Sequence, residues 1–182
     1  MAQISRKGYG QVEPNHLSAQ KTGQIYAQLP AATVGQNGAL TPIAQLEQGQ
    51  FLKYDYANGA ADLTGAGEWL LVYCEEKLYD ERKQHHKDFV LKADDFTDGF
   101  IYPRLLRVEV GDIFTTNTFG ANTTSNTAAV NGIALVEKDY VVVGNDGFLA
   151  KGTAEGNAPL FQVAKVYTMP DGQPGVKLQR VK

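Results

Sequence analysis

Tyr140-Val141-Val142-Val143-Gly144-Asn145-Asp146-Gly147-Phe148-Leu149 decides the fold class. An aromatic and β-branched run, which suits a pleated strand, reaches an Asp-Gly pair and then turns apolar again. Asp-Gly tolerates the positive backbone angles of a tight two-residue turn, so the stretch reads as a β-hairpin. The same punctuation recurs at Asn37-Gly38, Asn58-Gly59, Asn131-Gly132 and Asp171-Gly172. Five such pairs between apolar runs are hard to place in a helical protein.

Working outward, Ile25, Ala27 and Leu29 alternate with polar residues at the period of a half-buried strand. Phe51–Tyr54 and the run Trp69–Cys74 follow. Further strands are expected at Phe89–Leu91, Phe100–Val110, Ile113–Thr116, Ile133–Val136, Tyr140–Val143, Leu160–Tyr167 and Val176–Val181. The predicted fold is mainly β: a compact antiparallel β-barrel or sandwich over residues 24–182, with few or no helices and an extended N-terminal arm over 1–23. One device recurs without a fixed period. Leu46–Phe51, Val108–Ile113 and Val136–Tyr140 share the scheme apolar, Glu, turn, apolar.

Three segments depart from this pattern. Residues 1–23 have few apolar side chains and are punctuated by Gly8, Gly10, Pro14 and Gly23. They read either as a disordered terminus or as an arm that orders on a neighbouring subunit, anchored by Ile4, Tyr9, Val12 and Leu17. Arg6, Lys7 and Lys21 make this arm locally basic against the single acid Glu13. Deleting such an arm is expected to leave the core folded while weakening attachment. The charged stretch 75–87 reads as a projecting loop or hairpin tip, since Leu78 and Tyr79 give too narrow an apolar face for a helix. Residues 117–131 carry no charge and form either a surface loop or a neutral contact patch.

Composition narrows the function classes. The chain has 182 residues, a net charge of −3 and an isoelectric point near 5.6. A general nucleic-acid binder would carry a basic excess to neutralise phosphates. The N-terminus lacks the apolar core of a signal peptide, and no stretch approaches the roughly 18 apolar residues of a membrane span. A protein made and used in solution is expected. One cysteine, Cys74, excludes an intramolecular disulfide and reads as a small buried hydrophobe. On that reading Cys74→Ser would cost roughly 1–3 kcal/mol for an unpaired buried hydroxyl.

No pattern of residues points to catalysis. His16, His85 and His86 are the only histidines, and adjacent His85-His86 on an extended chain point to opposite faces, away from a shared metal. Asp94-Asp95 with Asp98-Gly99 resembles a calcium loop, but position twelve counted from Asp94 is Leu105 rather than a glutamate. A turn before Phe100 accounts for it. Phosphate-cradling and nucleophile-elbow glycine motifs are missing from the sequence. The expectation is a non-enzymatic chain without cofactor or metal. The competing classes are a carbohydrate-binding β-sandwich, with Trp69 or exposed tyrosines stacking on sugars, and an enzyme whose carboxylates meet only in space.

Several stretches resemble the capsid decoration (cement, or head-stabilisation) proteins of tailed bacteriophages. They are MAQISRKGYGQVEPNHLSAQKTGQIYAQLP (1–30), the strand–turn–strand over 37–54, VEVGDIFTTN (108–117) and FQVAKVYTMPDGQPGVKLQRV (161–181). The resemblance implies a viral structural protein made in the host cytoplasm and located on the capsid exterior of the virion. It implies a partner, the major capsid protein, whose subunits it bridges, and self-association as a dimer or trimer on the shell. Neither nucleic acid nor membrane is an expected partner. Another virion component, such as a tail or head-fibre protein, is the nearest alternative.

Overall fold

The computed structural model describes residues 2–6, 8–13, 16–19, 21–74, 90–120, 133–153 and 158–182. Among these the chain is mainly β and sandwich-like, with single 3-10 turns at Thr22–Gln24 and Ala93–Asp95. The charged stretch 75–87, His85, His86, Lys7, the Asn131-Gly132 pair and most of 117–131 lie outside the described residues.

A central antiparallel sheet has the order β2-β10-β8-β6-β7, formed by β2 (Ile25–Tyr26), β6 (Phe51–Asp55), β7 (Ala60–Asp62), β8 (Trp69–Val72) and β10 (Leu105–Leu106). A second has the order β11-β16-β15-β13-β14, from β11 (Ile113–Thr116), β13 (Tyr140–Val143), β14 (Leu149–Lys151), β15 (Leu160–Thr168) and β16 (Pro174–Arg180). Three two-stranded pairs complete the body. They join β1 (Ala2–Ile4) to β12 (Ile133–Leu135), β3 (Ala32–Val34) to β4 (Leu40–Pro42), and β5 (Gln45–Glu47) to β9 (Val90–Lys92).

The central sheet is covered on both faces, which explains why Leu70-Leu71-Val72 shows no polar alternation. Successive side chains of a strand point to opposite faces. Phe51, Leu71 and Leu106 accordingly enter one core with Phe114, Phe161, Val163, Val176 and Leu178 of the second sheet. Leu52, Leu70, Val72 and Leu105 enter another with Leu46, Ala61, Leu91 and Ile101. Phe51, Phe114 and Phe161 form a trio with centroids 5.4–6.2 Å apart, tying the two large sheets together. Such ring pairs add about 0.5–1.5 kcal/mol beyond area burial. The second sheet, by contrast, alternates: Val141, Phe161, Val163 and Leu178 point inward while Tyr140, Gln162 and Gln179 point out.

Of the five pairs named as turn signals, the four that are described all make turns, each with its glycine at positive φ (Gly38, Gly59, Gly147, Gly172). Gly147 is doubly required, because a Cβ there would lie 2.3 Å from the Phe51 carbonyl oxygen. The recurring device is also real. Gln50 Oε1, Asp112 Oδ2 and Asp139 Oδ2 each accept from the N–H three residues earlier. The residue just before each acceptor sits at positive φ: Gly49, Gly111 and, unusually, Lys138. Phe100–Val110 is strand only at Leu105–Leu106, since Pro103 has no N–H to give a ladder.

The segment expected to reach out as an arm is instead sewn into the body. β1 pairs with β12, and Ile4 and Val12 belong to the main core. Glu13 and Ser18 lie along the free edge of β11: Glu13 N–H donates to Thr115 O and Ser18 N–H to Ile113 O. An open strand edge is thereby covered.

Candidate functional site

Of the residues expected to anchor an arm on a partner, Ile4, Arg6 and Val12 are buried within the chain itself. Tyr9 and Leu17 are half-buried, Leu17 against the main core, and Lys21 is exposed. Arg6 forms a 2.8 Å ion pair with Glu47, their side chains 1% and 3% exposed. It also donates to the carbonyls of Gly8 and Gly120. Glu47 accepts in turn from Gly10 N–H at 2.8 Å. Gln11 pairs with Asn117 and Thr116, and Thr118 donates to the Gln48 carbonyl. Of the basic charge read as a docking feature, Arg6 is thus matched internally. Gln11 also donates to Asp171. Burial raises the Asp171 carboxyl, but hydrogen bonds from Gln173 and Gln11 outweigh it and hold it below the ordinary aspartate value.

His16 is not a freely solvated histidine. Its Nδ1 lies 3.2 Å from Thr115 Oγ1, and its ring meets Tyr167 edge-on at 4.9 Å. Cys74 is half-buried rather than a plain core hydrophobe: Arg104 N–H donates to its sulfur at 3.3 Å. A serine hydroxyl there would keep the Arg104 N–H as a partner. Cys74→Ser is therefore expected to cost less than about 1 kcal/mol, below the penalty of an unpaired hydroxyl, as a urea midpoint would report. Asp98 closes a local turn, accepting from Phe100 N–H and Tyr102 O–H, and the latter bond raises the Tyr102 pKa. Among the described residues no group of three or more His, Cys, Asp or Glu could hold a metal ion. Nor is any described helix long and apolar enough to cross a membrane.

Two surface features remain as candidate sites. The first is the outer face of the second sheet. Cross-strand register sets Tyr140, Gln162, Gln179 and Ile113 in one outward row. Val142 and Leu160 form the next, and Lys165 faces Lys177 further along. Tyr140 is 42% exposed. None of these outward positions is acidic, in a chain whose acids outnumber its Lys and Arg.

The second is a cleft of about 430 Å³ at the mouth between the two large sheets, lined by Lys53, Glu68, Trp69, Pro159 and Arg180 among others. Lys53 and Trp69 are cross-strand partners, with the lysine Nζ 4.9 Å from the indole centroid. Trp69 is only half-buried, not enclosed in its strand. Glu68 is held from both sides, by Arg180 at 2.9 Å and Arg107 at 3.2 Å. Sequence reasoning singled out Trp69 alone. The cations come from positions more than a hundred residues apart, which only the strand register brings together.

Fold and surface together describe a sandwich-like β protein with two exposed features suited to binding. Neither family models, nor curated proteins, nor solved structures contain a match to this chain.

Proposed function

We propose that this chain is a structural protein of a tailed-phage virion that binds the outside of the assembled capsid and bridges major-capsid subunits. The observation that carries the reading is the outer face of the second sheet. An antiparallel sheet with one side in water normally alternates to polar and charged residues outside. Here the outward rows are aromatic, aliphatic or neutral amide, with lysines only at one end. Aromatic enrichment with depletion of charge is the signature of an interface core. The four resembling stretches support the same reading, and β16 and all of β15 but Leu160, which build this face, lie within one of them.

A rigid body suits such a role better than a tethered one. With Ile4, Arg6 and Val12 buried in the chain's own body, the docking surface is the sheet rather than an arm. A stable contact buries about 800 Å² per partner, within reach of one five-stranded face. Purified protein is expected to sediment with undecorated shells and not with dissociated capsid subunits or DNA. Tyr140→Glu and Gln162→Glu should abolish sedimentation while leaving the melting temperature unchanged. Equal binding to free subunits, or full binding by both variants, overturns the proposal.

A further inference from the structure

The geometry points to the Lys53–Trp69 cleft as a binding site for a carboxylate-bearing pyranose, a uronic-acid type of sugar. This goes beyond capsid attachment and uses a different surface. Lys53 and Trp69 point to the inner side of the central sheet, where Arg180 of the second sheet also points, so the cleft is the open end of the sandwich. Its charges are unequally matched. Arg180 is engaged, donating to Glu68, to the Val108 carbonyl and to the Lys182 carbonyl. The Glu68 carboxylate answers two guanidiniums. Asp62, opposite Lys53 in register, turns into its own loop and accepts from Thr64 and Gly65.

Among the described residues, no carboxylate stands within ion-pair distance of Lys53, whose one neighbour of note is the indole face. Among the described lining residues two cations, Lys53 and Arg180, meet the single carboxylate of Glu68, and Arg180 is the one it holds. Lys53 is a cation resting on an aromatic platform, with room beside it for a ring. A cation resting on a partly exposed indole is held only weakly. A charge-assisted hydrogen bond from the same ammonium to a carboxylate is stronger. An incoming carboxylate would therefore draw Nζ off the ring, uncovering the apolar face on which the C–H side of a pyranose can stack. Charge and platform are used together, so neither a neutral hexose nor a bare carboxylate meets both requirements.

Trp69 is the single tryptophan of the chain, so emission excited selectively at the indole reports on this cleft. Titration of the full chain with galacturonate and glucuronate, monomers and short oligomers, is expected to give a saturable change in Trp69 emission. Glucose, acetate and inorganic phosphate at the same concentrations should give none. Lys53→Gln should weaken binding at least tenfold with its melting curve unchanged, and Lys53→Arg should retain it. An equal response to acetate or phosphate reduces the cleft to a non-specific anion patch and overturns the proposal. Equal response to glucose, no response to either uronate, or full binding by Lys53→Gln does so as well.

Discussion

Arg6→Ala and Glu47→Ala are each expected to destabilise the chain by about 3–5 kcal/mol, the cost of leaving one partner of a buried ion pair without the other. Few single substitutions away from the aromatic trio should cost as much. The pair is almost wholly enclosed, and each partner also anchors backbone: Arg6 the carbonyls of Gly8 and Gly120, Glu47 the N–H of Gly10. A doubly apolar replacement, Arg6→Met with Glu47→Leu, removes both charges and should recover much of the loss. Recovery will be incomplete, because the Gly10 N–H loses its acceptor at a cost of roughly 1–3 kcal/mol. Urea midpoints of the wild type, the two single variants and the double variant make the cycle. Losses below 1 kcal/mol, or simple additivity, would show that water reaches the pair.

Much of the fold was legible because turn chemistry is local. The turns at Gly38, Gly59, Gly147 and Gly172 each call for a positive backbone angle, so Asn-Gly and Asp-Gly announce them wherever they fall. Ile113–Thr116 and Tyr140–Val143 were legible because aromatic and β-branched runs favour a pleated surface. Ala60–Asp62 was not, since alanine carries little strand preference, nor was Ala32–Val34, whose two β-branched residues make too short a run to stand out. The unbroken apolar run Leu70–Val72 showed a strand but not the two cores it separates.

The candidate surfaces were less legible, and for a different reason. An arginine near a terminus reads as solvated, because burial of a charge requires a partner that sequence proximity does not supply. Arg6 finds Glu47 forty-one positions away. Lys53, Glu68 and Arg180 are likewise joined only by register and by the packing of two sheets. The outer face of the second sheet depends on which of two alternating sets is turned to water. That choice is settled by the Phe51–Phe114–Phe161 contact on the inner side.

Deletion of residues 1–13 is expected to abolish cooperative folding, in place of the intact core anticipated for a detachable arm. Ile4 and Val12 fill the main core, and full burial of such side chains stabilises by about 1.5–3 kcal/mol each. The truncated chain would be spared the entropy of ordering those residues. That relief does nothing for the groups left behind. Glu47 would stay buried without Arg6, Thr116 would lose the Gln11 carbonyl, and Asn117 Oδ1 the Gln11 N–H. The channel they occupy is closely fitted: a Cβ on Gly10 would fall 2.3 Å from Thr118 Oγ1 and 2.6 Å from the Gln48 carbonyl. Nothing else among the described residues is placed to fill it. With one buried charge and several buried polar groups unpaired, the loss is comparable to the roughly 5–15 kcal/mol by which a domain is stable at all. The truncated protein should show a broad, weakly cooperative melt, bind a hydrophobic dye and be digested through its core strands by protease. A sharp melt at the wild-type temperature would show the segment to be a passenger, and would return the docking role to it.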